Sequence, residues 1–250
     1  MPQPLSITIV TRDEENNIGR CLKSVQWADE IVVIDSGSAD RTVEICRQFT
    51  NKIIETEWRG FGQTKKIAVN AATHDWILSI DSDEEVSEEL KLAIQKILHN
   101  PDYHAYRVKR ITFYLGKQVR HCGWGNEYQL KFFNRKFGNF NDKIVHESVQ
   151  ITGEVGKIEA PIYHYSYPTI QSHIQKMDNY SELGADQLSK QGKSASFGGT
   201  LLRGLAKFIK MYFFQKGFLD GKIGVIISYN SAFGVYLKYL KLWSIRKIGK

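Results

Sequence analysis

Short apolar runs rich in β-branched residues alternate with stretches of helical spacing along the first hundred residues. Leu5 to Val10 is such a run, and after a polar cluster Ile18, Cys21, Leu22 and Val25 recur at the helical period. The same cycle predicts strands over Ile31 to Ile34, Lys52 to Glu55 and Trp76 to Ile80, with helices over Val43 to Phe49 and Thr64 to Ala72 between them. A last helix, Glu88 to Leu98, follows Ser87, whose hydroxyl suits an N-cap. Farther on, the aromatic-rich stretches Tyr103 to Tyr114 and Ile162 to Tyr167 are expected as strands that pack the core. Apolar strands alternating with amphipathic helices predict an α/β fold with a mostly parallel sheet flanked by helices. Ligands of such sheets bind beyond the carboxyl ends of the strands. The residues expected there are Thr11, Arg12 and Asp13, then Asp35-Ser36-Gly37-Ser38, then Asp81-Ser82-Asp83.

Composition narrows the class. With 250 residues, 42% hydrophobic and 24% charged, the chain is long enough to bury a core without disulfide or metal staples. Three cysteines at wide spacings argue against a disulfide framework and fit a reducing compartment. His121, Cys122, His146 and His164 lack the paired ligand spacing of a structural zinc site. Met1-Pro2-Gln3-Pro4 carries no charged or apolar leader pattern, so a cytoplasmic location is expected.

Charge is distributed unevenly. Residues 1 to 100 hold 11 basic and 17 acidic side chains, residues 101 to 196 hold 13 and 9, and residues 197 to 250 hold 10 and 1. The last segment also carries Leu201, Leu202, Leu205, Phe208, Ile209 and Tyr212 near helical spacing. A basic amphipathic tail predicts an anionic membrane surface as partner, with the chain peripheral on the inner face of the cytoplasmic membrane. The weakly charged stretch Ile223 to Leu237 is short and polar for a span. No nucleic-acid-binding module signature is present, so nucleic acid is not expected as a partner. The expected division is residues 1 to 196 as one domain, with two halves that meet at about residue 100, and residues 197 to 250 as the membrane-associating tail.

Asp81-Ser82-Asp83 is an Asp-x-Asp pair at a strand end beside Glu84 and Glu85. Carboxylates this close repel unless a cation lies between them, and oxygen ligands suit Mg²⁺ or Mn²⁺ shared with substrate phosphates. The plain alternative is an acidic helix N-terminus favoured by the macrodipole. Asp35 is placed to accept from a ribose hydroxyl or a base N–H, whereas Asp40 suits a helix cap. Trp58 to Lys66 is a glycine-containing loop with Lys65 and Lys66 opening a helix, suited to phosphate but without the spacing of a phosphate loop or a dinucleotide fingerprint.

Together, Ile7 to Ile18, Ile34 to Thr42 and Asp75 to Glu84 resemble the motifs of family-2 inverting glycosyltransferases of the Rossmann-like GT-A fold. The branch most similar is that of the bacterial lipopolysaccharide-core heptose β-glucosyltransferases. Gly123 to Phe133, Val145-His146-Glu147 and Gly217 to Lys222 continue the resemblance more loosely, and Arg12-Asp13 departs from the Tyr-Asn or Lys-Asn of many members. The resemblance implies that Thr11, Asp13, Glu14 and Asp35 hold the uridine of a UDP-sugar, with Lys65 near the nucleotide. It implies Asp83 as principal ligand of Mg²⁺ or Mn²⁺, and Asp81 as metal-site residue near the ribose or diphosphate. Inverting transfer also needs a general base for the acceptor hydroxyl. Glu127 is the candidate base, with His146 and Glu147 shaping the acceptor or metal site. The expected reaction moves a hexose, glucose by resemblance, to a lipopolysaccharide-core or other glycolipid acceptor. The alternatives are transfer to polyprenyl phosphate, which needs no base, and a nucleotidyltransferase.

Overall fold

Four strands, β1 (Leu5–Thr11), β2 (Glu30–Asp35), β3 (Ile53–Glu55) and β4 (Trp76–Asp81), pair in parallel in the order β3-β2-β1-β4. The order reverses at β1, which has β2 on one side and β4 on the other. The computed structural model that shows this describes residues 1–125, 127–141 and 147–248. Alternate residues of each strand feed different cores. Leu5, Ile7 and Ile9 of β1, Val33 of β2 and Trp76, Leu78 and Ile80 of β4 pack with α1 (Ile18–Lys23), α2 (Thr42–Cys46) and α4 (Glu88–His99). Val32, Ile34 and Ile77 pack on the other face with Ala68 and Val69 of α3 (Phe61–Ala71). Burial on both faces is why β2 and β4 are mostly apolar rather than alternating, whereas β1 alternates and buries Ser6 and Thr8 on the face opposite Leu5, Ile7 and Ile9. Ser87 caps α4 as expected, its hydroxyl accepting from the N–H of Leu90 at 3.1 Å.

Beyond β4 the sheet turns antiparallel. It continues through β8 (Glu127–Asn134), β6 (Ala105–Tyr114) and β11 (Val155–Tyr167) to β5 (Glu84–Val86), with β7 (Lys117–Gln118) hairpinned on β6. A small second sheet pairs β9 (Gly138–Phe140) with β10 (Val149–Ile151).

The chain groups into two units, Met1–Arg110 with Glu127–His164, and Ile111–Asn126 with Tyr165–Lys250. The second unit is mainly helical: α5 (Ile170–Lys190), α6 (Phe197–Ile209), a π-helical turn (Lys210–Phe214), a 3-10 turn (Gly217–Asp220) and α7 (Gly221–Ile248). Both α5 and α6 pack on α7, and residues 165 to 196 group with the tail helices in this unit. Tyr114, Val119, Cys122, Met211 and Ile227 form its core. Among the described residues, no helix is long and apolar enough to cross a membrane.

Candidate active site

Strand register in the first unit assembles a charged cluster at the carboxyl end of β4. β8 runs antiparallel to β4, with Leu78 opposite Phe132, and this places Lys131 near the end of β4. Its ammonium lies 2.6 Å from Glu84 Oε2 and 3.2 Å from Asp81 Oδ2. Lys65 reaches the same carboxylate from the second turn of α3, 2.8 Å from Asp81 Oδ1, and lies 2.8 Å from Glu147 Oε1. That helix opens at Gly60, whose φ of 91° is open to glycine and strained for other residues. The second short register pairs His164 of β11 with Glu84 of β5, which brings His164 Nε2 to 3.4 Å from Asp83 Oδ2. A third pairs Arg110 of β6 with Glu127 of β8, and the two side chains form an ion pair.

The electrostatics follow from this lattice. Burial by itself would raise the pKa of Asp81, but Lys131 and Lys65 override it and hold the carboxyl well below its usual range. Burial opposes the charge on Lys65, yet Asp81 and Glu147 keep it protonated far above neutral pH. Glu127 is likewise lowered: desolvation is outweighed by Arg110, a hydrogen bond from Gln129 and the nearby His164. Glu84 is 0% exposed, with Oε2 accepting from the Asp81 N–H at 2.9 Å and Oε1 left without a partner.

The ends of β1 and β2 are stitched to each other. Asp35 accepts from the N–H groups of Gly37 and Ser38, both at 2.9 Å, and from the Ser38 hydroxyl. Asp13, in the left-handed region with φ 53°, accepts from the Ala39 N–H at 2.8 Å, while its own N–H donates to Ser38 Oγ. The Glu14 N–H donates to Thr42 Oγ1, and Asp40 accepts from the Thr42 N–H at the start of α2. Thr11 Oγ1 is buried at the end of β1 without a hydrogen-bond partner.

Of the residues singled out in the sequence, Lys65, Asp81 and Glu147 thus meet directly, Glu127 pairs with Arg110 of a neighbouring strand, and Asp83 faces the His164 imidazole. Thr11, Asp13, Glu14 and Asp35 lie at the ends of β1 and β2. His146 lies outside the described residues. Sequence reading missed the structural partners Lys131 and Arg110, met Glu84 only as an acidic neighbour of the pair, and met His164 only as a discarded zinc ligand. The available signal for Lys131 was a lone cation inside the apolar run Leu130 to Phe133. The helix-terminus alternative for Asp81 and Asp83 does not describe their place, since α4 begins only at Glu88 and the pair borders a strand end and a turn.

Among the described residues, no group of three or more His, Cys, Asp or Glu could hold a metal unaided. Both Asp81 oxygens face lysines, so Asp81 does not fit as a direct ligand. Asp83 and His164, the latter with a buried and unpartnered Nδ1, fit two positions of an ion completed by substrate phosphates.

The family model Glycosyl transferase family 2 matches residues 6–151. An uncharacterized glycosyltransferase of Rickettsia typhi is 34% identical over 95% of this chain and 86% of its own length. The lipopolysaccharide core biosynthesis glycosyltransferase LpsC of Rhizobium meliloti is 26% identical over 94% of this chain and 93% of its own. Among solved structures, residues 1-349 of TarS from S. aureus, crystallised with UDP-GlcNAc, align with TM-score 0.52 and 14% identity over 93% of this chain and 80% of that one, a likeness of fold.

Proposed function

Given that the chain belongs to glycosyl transferase family 2, we propose that it moves a hexose, glucose by the sequence resemblance, from a UDP-sugar to a hydroxyl of a lipopolysaccharide-core or other glycolipid acceptor, with inversion. The observation that carries this reading is the convergence of Asp81, Asp83, Lys65, Lys131 and His164 at the end of β4, beside the reversal of strand order. Thr11, Asp13, Glu14 and Asp35 bind the uridine. Lys65, released in part from Asp81 and Glu147, contacts the diphosphate. Asp83 and His164 hold Mg²⁺ or Mn²⁺, which neutralises charge on the departing diphosphate when bound. Asp81 orients Lys65.

Two glutamates compete for the role of base. Glu147 is 16% exposed and tied to Lys65, whereas Glu127 is 37% exposed. An acceptor from solution therefore meets Glu127 more readily. Its ion pair with Arg110 keeps it ionised and ready to take the hydroxyl proton as that oxygen attacks the anomeric carbon. Glu147 borders the same site through Lys65.

Isothermal titration of UDP in the presence of Mn²⁺ or Mg²⁺ tests the donor site. The expected result is metal-dependent binding that is lost in Asp83→Ala. A folded wild-type protein that binds no UDP overturns the proposal. Glu127→Gln is expected to lower turnover with UDP affinity intact, and unchanged turnover in both Glu127→Gln and Glu147→Gln would transfer support to a polyprenyl phosphate acceptor.

A further inference from the structure

Within the second unit, α6 is packed the wrong way round for a water-soluble helix. Its inward stripe consists of small or polar positions, Thr200 and Gly204, followed by Met211 in the next turn. Gly204 sits so close to α7 that a Cβ there would lie 3.2 Å from Tyr236 Cβ. The outward face carries the large apolar residues instead: Leu201, Leu202 at 68% exposure, Leu205 and Ile209. The apolar surface continues round the turn into α7 through Phe213, Phe214 at 79% exposure, Phe218 and Leu219. A soluble helix normally buries such a stripe, and a contiguous exposed one marks an interaction surface.

Charge identifies the occupant. Residues 197 to 250 carry ten basic side chains and one acidic one, Asp220. That carboxylate is only 8% exposed and points inward, accepting from the N–H groups of Arg120 and His121 and lying 2.9 Å from His121 Nδ1. Lys241 pairs with Asp178 and Glu182 of α5, while the exposed Arg203, Lys210, Lys216 and Lys222 share their segment with no acidic residue but the inward-turned Asp220. Against a second copy of the chain these cations would repel one another, whereas phosphate headgroups complement them and acyl chains receive the aromatic and aliphatic tips. We propose that the α6 to α7 hairpin docks on an anionic lipid bilayer, lying in its surface with Leu202, Leu205, Phe213 and Phe214 inserted. The inference adds a partner to the reading above and stands on different residues.

Co-sedimentation of the full chain with vesicles tests it, comparing phosphatidylglycerol mixed equally with phosphatidylcholine against phosphatidylcholine alone. The wild type is expected to pellet with the anionic vesicles and to be released by salt. Leu202→Ser with Phe214→Ser, both exposed and so without effect on thermal unfolding, should weaken binding at least about tenfold. Lys210→Gln with Lys216→Gln and Lys222→Gln should abolish the preference for anionic vesicles. Equal binding to both vesicle types, or serine variants that pellet like the wild type, overturns the proposal. So does wild-type dimerisation in sedimentation equilibrium that the serine variants lose, which would assign the face to a second copy. UDP titration of the same variants keeps the two readings separate: the serine variants should bind UDP like the wild type, and loss of vesicle binding leaves the donor site untouched.

Discussion

Replacing Lys131 by methionine isolates the countercharge beneath the Asp-x-Asp turn. The lysine sits in β8 between apolar neighbours, and its ammonium lies 2.6 Å from a carboxylate that has no access to solvent. Methionine keeps the length and apolar stem of the side chain, so the loss is chiefly electrostatic. Glu84 would keep one hydrogen bond, from the Asp81 N–H, with Oε1 already without a partner. Removing one member of a buried pair of this kind typically costs about 3–5 kcal/mol. Against a total stability of about 5–15 kcal/mol this is a large fraction. Urea unfolding, followed by circular dichroism and tryptophan fluorescence, measures it. The informative partner is Glu84→Gln with Lys131→Met, which removes both charges at nearly constant volume. If the penalty comes from an orphaned buried carboxylate, the double variant should recover at least about half of the loss. A Lys131→Met protein as stable as wild type, or a double variant no better than the single one, refutes the reasoning.

Acid should weaken the two units over different ranges. Burial opposes ionisation of Glu30, but Lys52, Ser6 and Thr73 overcome it and lower its pKa from 4.5 to about 2; up to about 3 kcal/mol of stability in the first unit should therefore be lost as pH falls from 4.5 towards 2, and Glu30→Gln should flatten that slope in pH-dependent unfolding. Burial lowers His173 from 6.5 to about 4, so the unfolded chain takes up a proton first and the second unit should lose stability as pH falls between those values, a loss that His173→Gln removes. All three cysteines are buried, and desolvation pushes Cys46 up to about 11 and raises Cys21 and Cys122, so Ellman's reagent should label the native protein far more slowly than the three thiols of the denatured chain. Ser87→Ala should destabilise α4 by about 1 kcal/mol in thermal unfolding.

The parallel half of the sheet was legible because its signals are local. β1, β2 and β4 are buried on both faces and announce themselves as apolar runs closed by polar turns, and Ser87 sits one residue before a helical period. The antiparallel half depends on register between distant segments. β5 has three residues, two of them glutamates, and becomes a strand only by pairing with β11 nearly eighty positions later. For that reason the acidic stretch after Asp81 resembles a helix start when taken alone. The candidate site divides in the same way: its carboxylates stand in motifs, while Lys131, Arg110 and His164 are recruited by cross-strand pairing that no short window contains. The α6 apolar stripe was legible as a surface feature because cations flank it in the sequence, whereas the small inward positions Thr200 and Gly204 that leave it exposed carry no such signal.

The late arrival of Arg110, Lys131 and His164 has a consequence for synthesis. A ribosome releases the first hundred residues, with their excess of acid, before Arg110, Lys131 and His164 have been made. In that interval Asp81, Asp83 and Glu84 have Lys65 as their single lysine from the eventual cluster, and β5 has no strand to join. Like charge keeps the emerging segment hydrated and discourages it from collapsing on itself or on neighbouring chains. The carboxylate turn is thus completed from the far end of the unit, and its last edge closes only when β11 has left the exit tunnel.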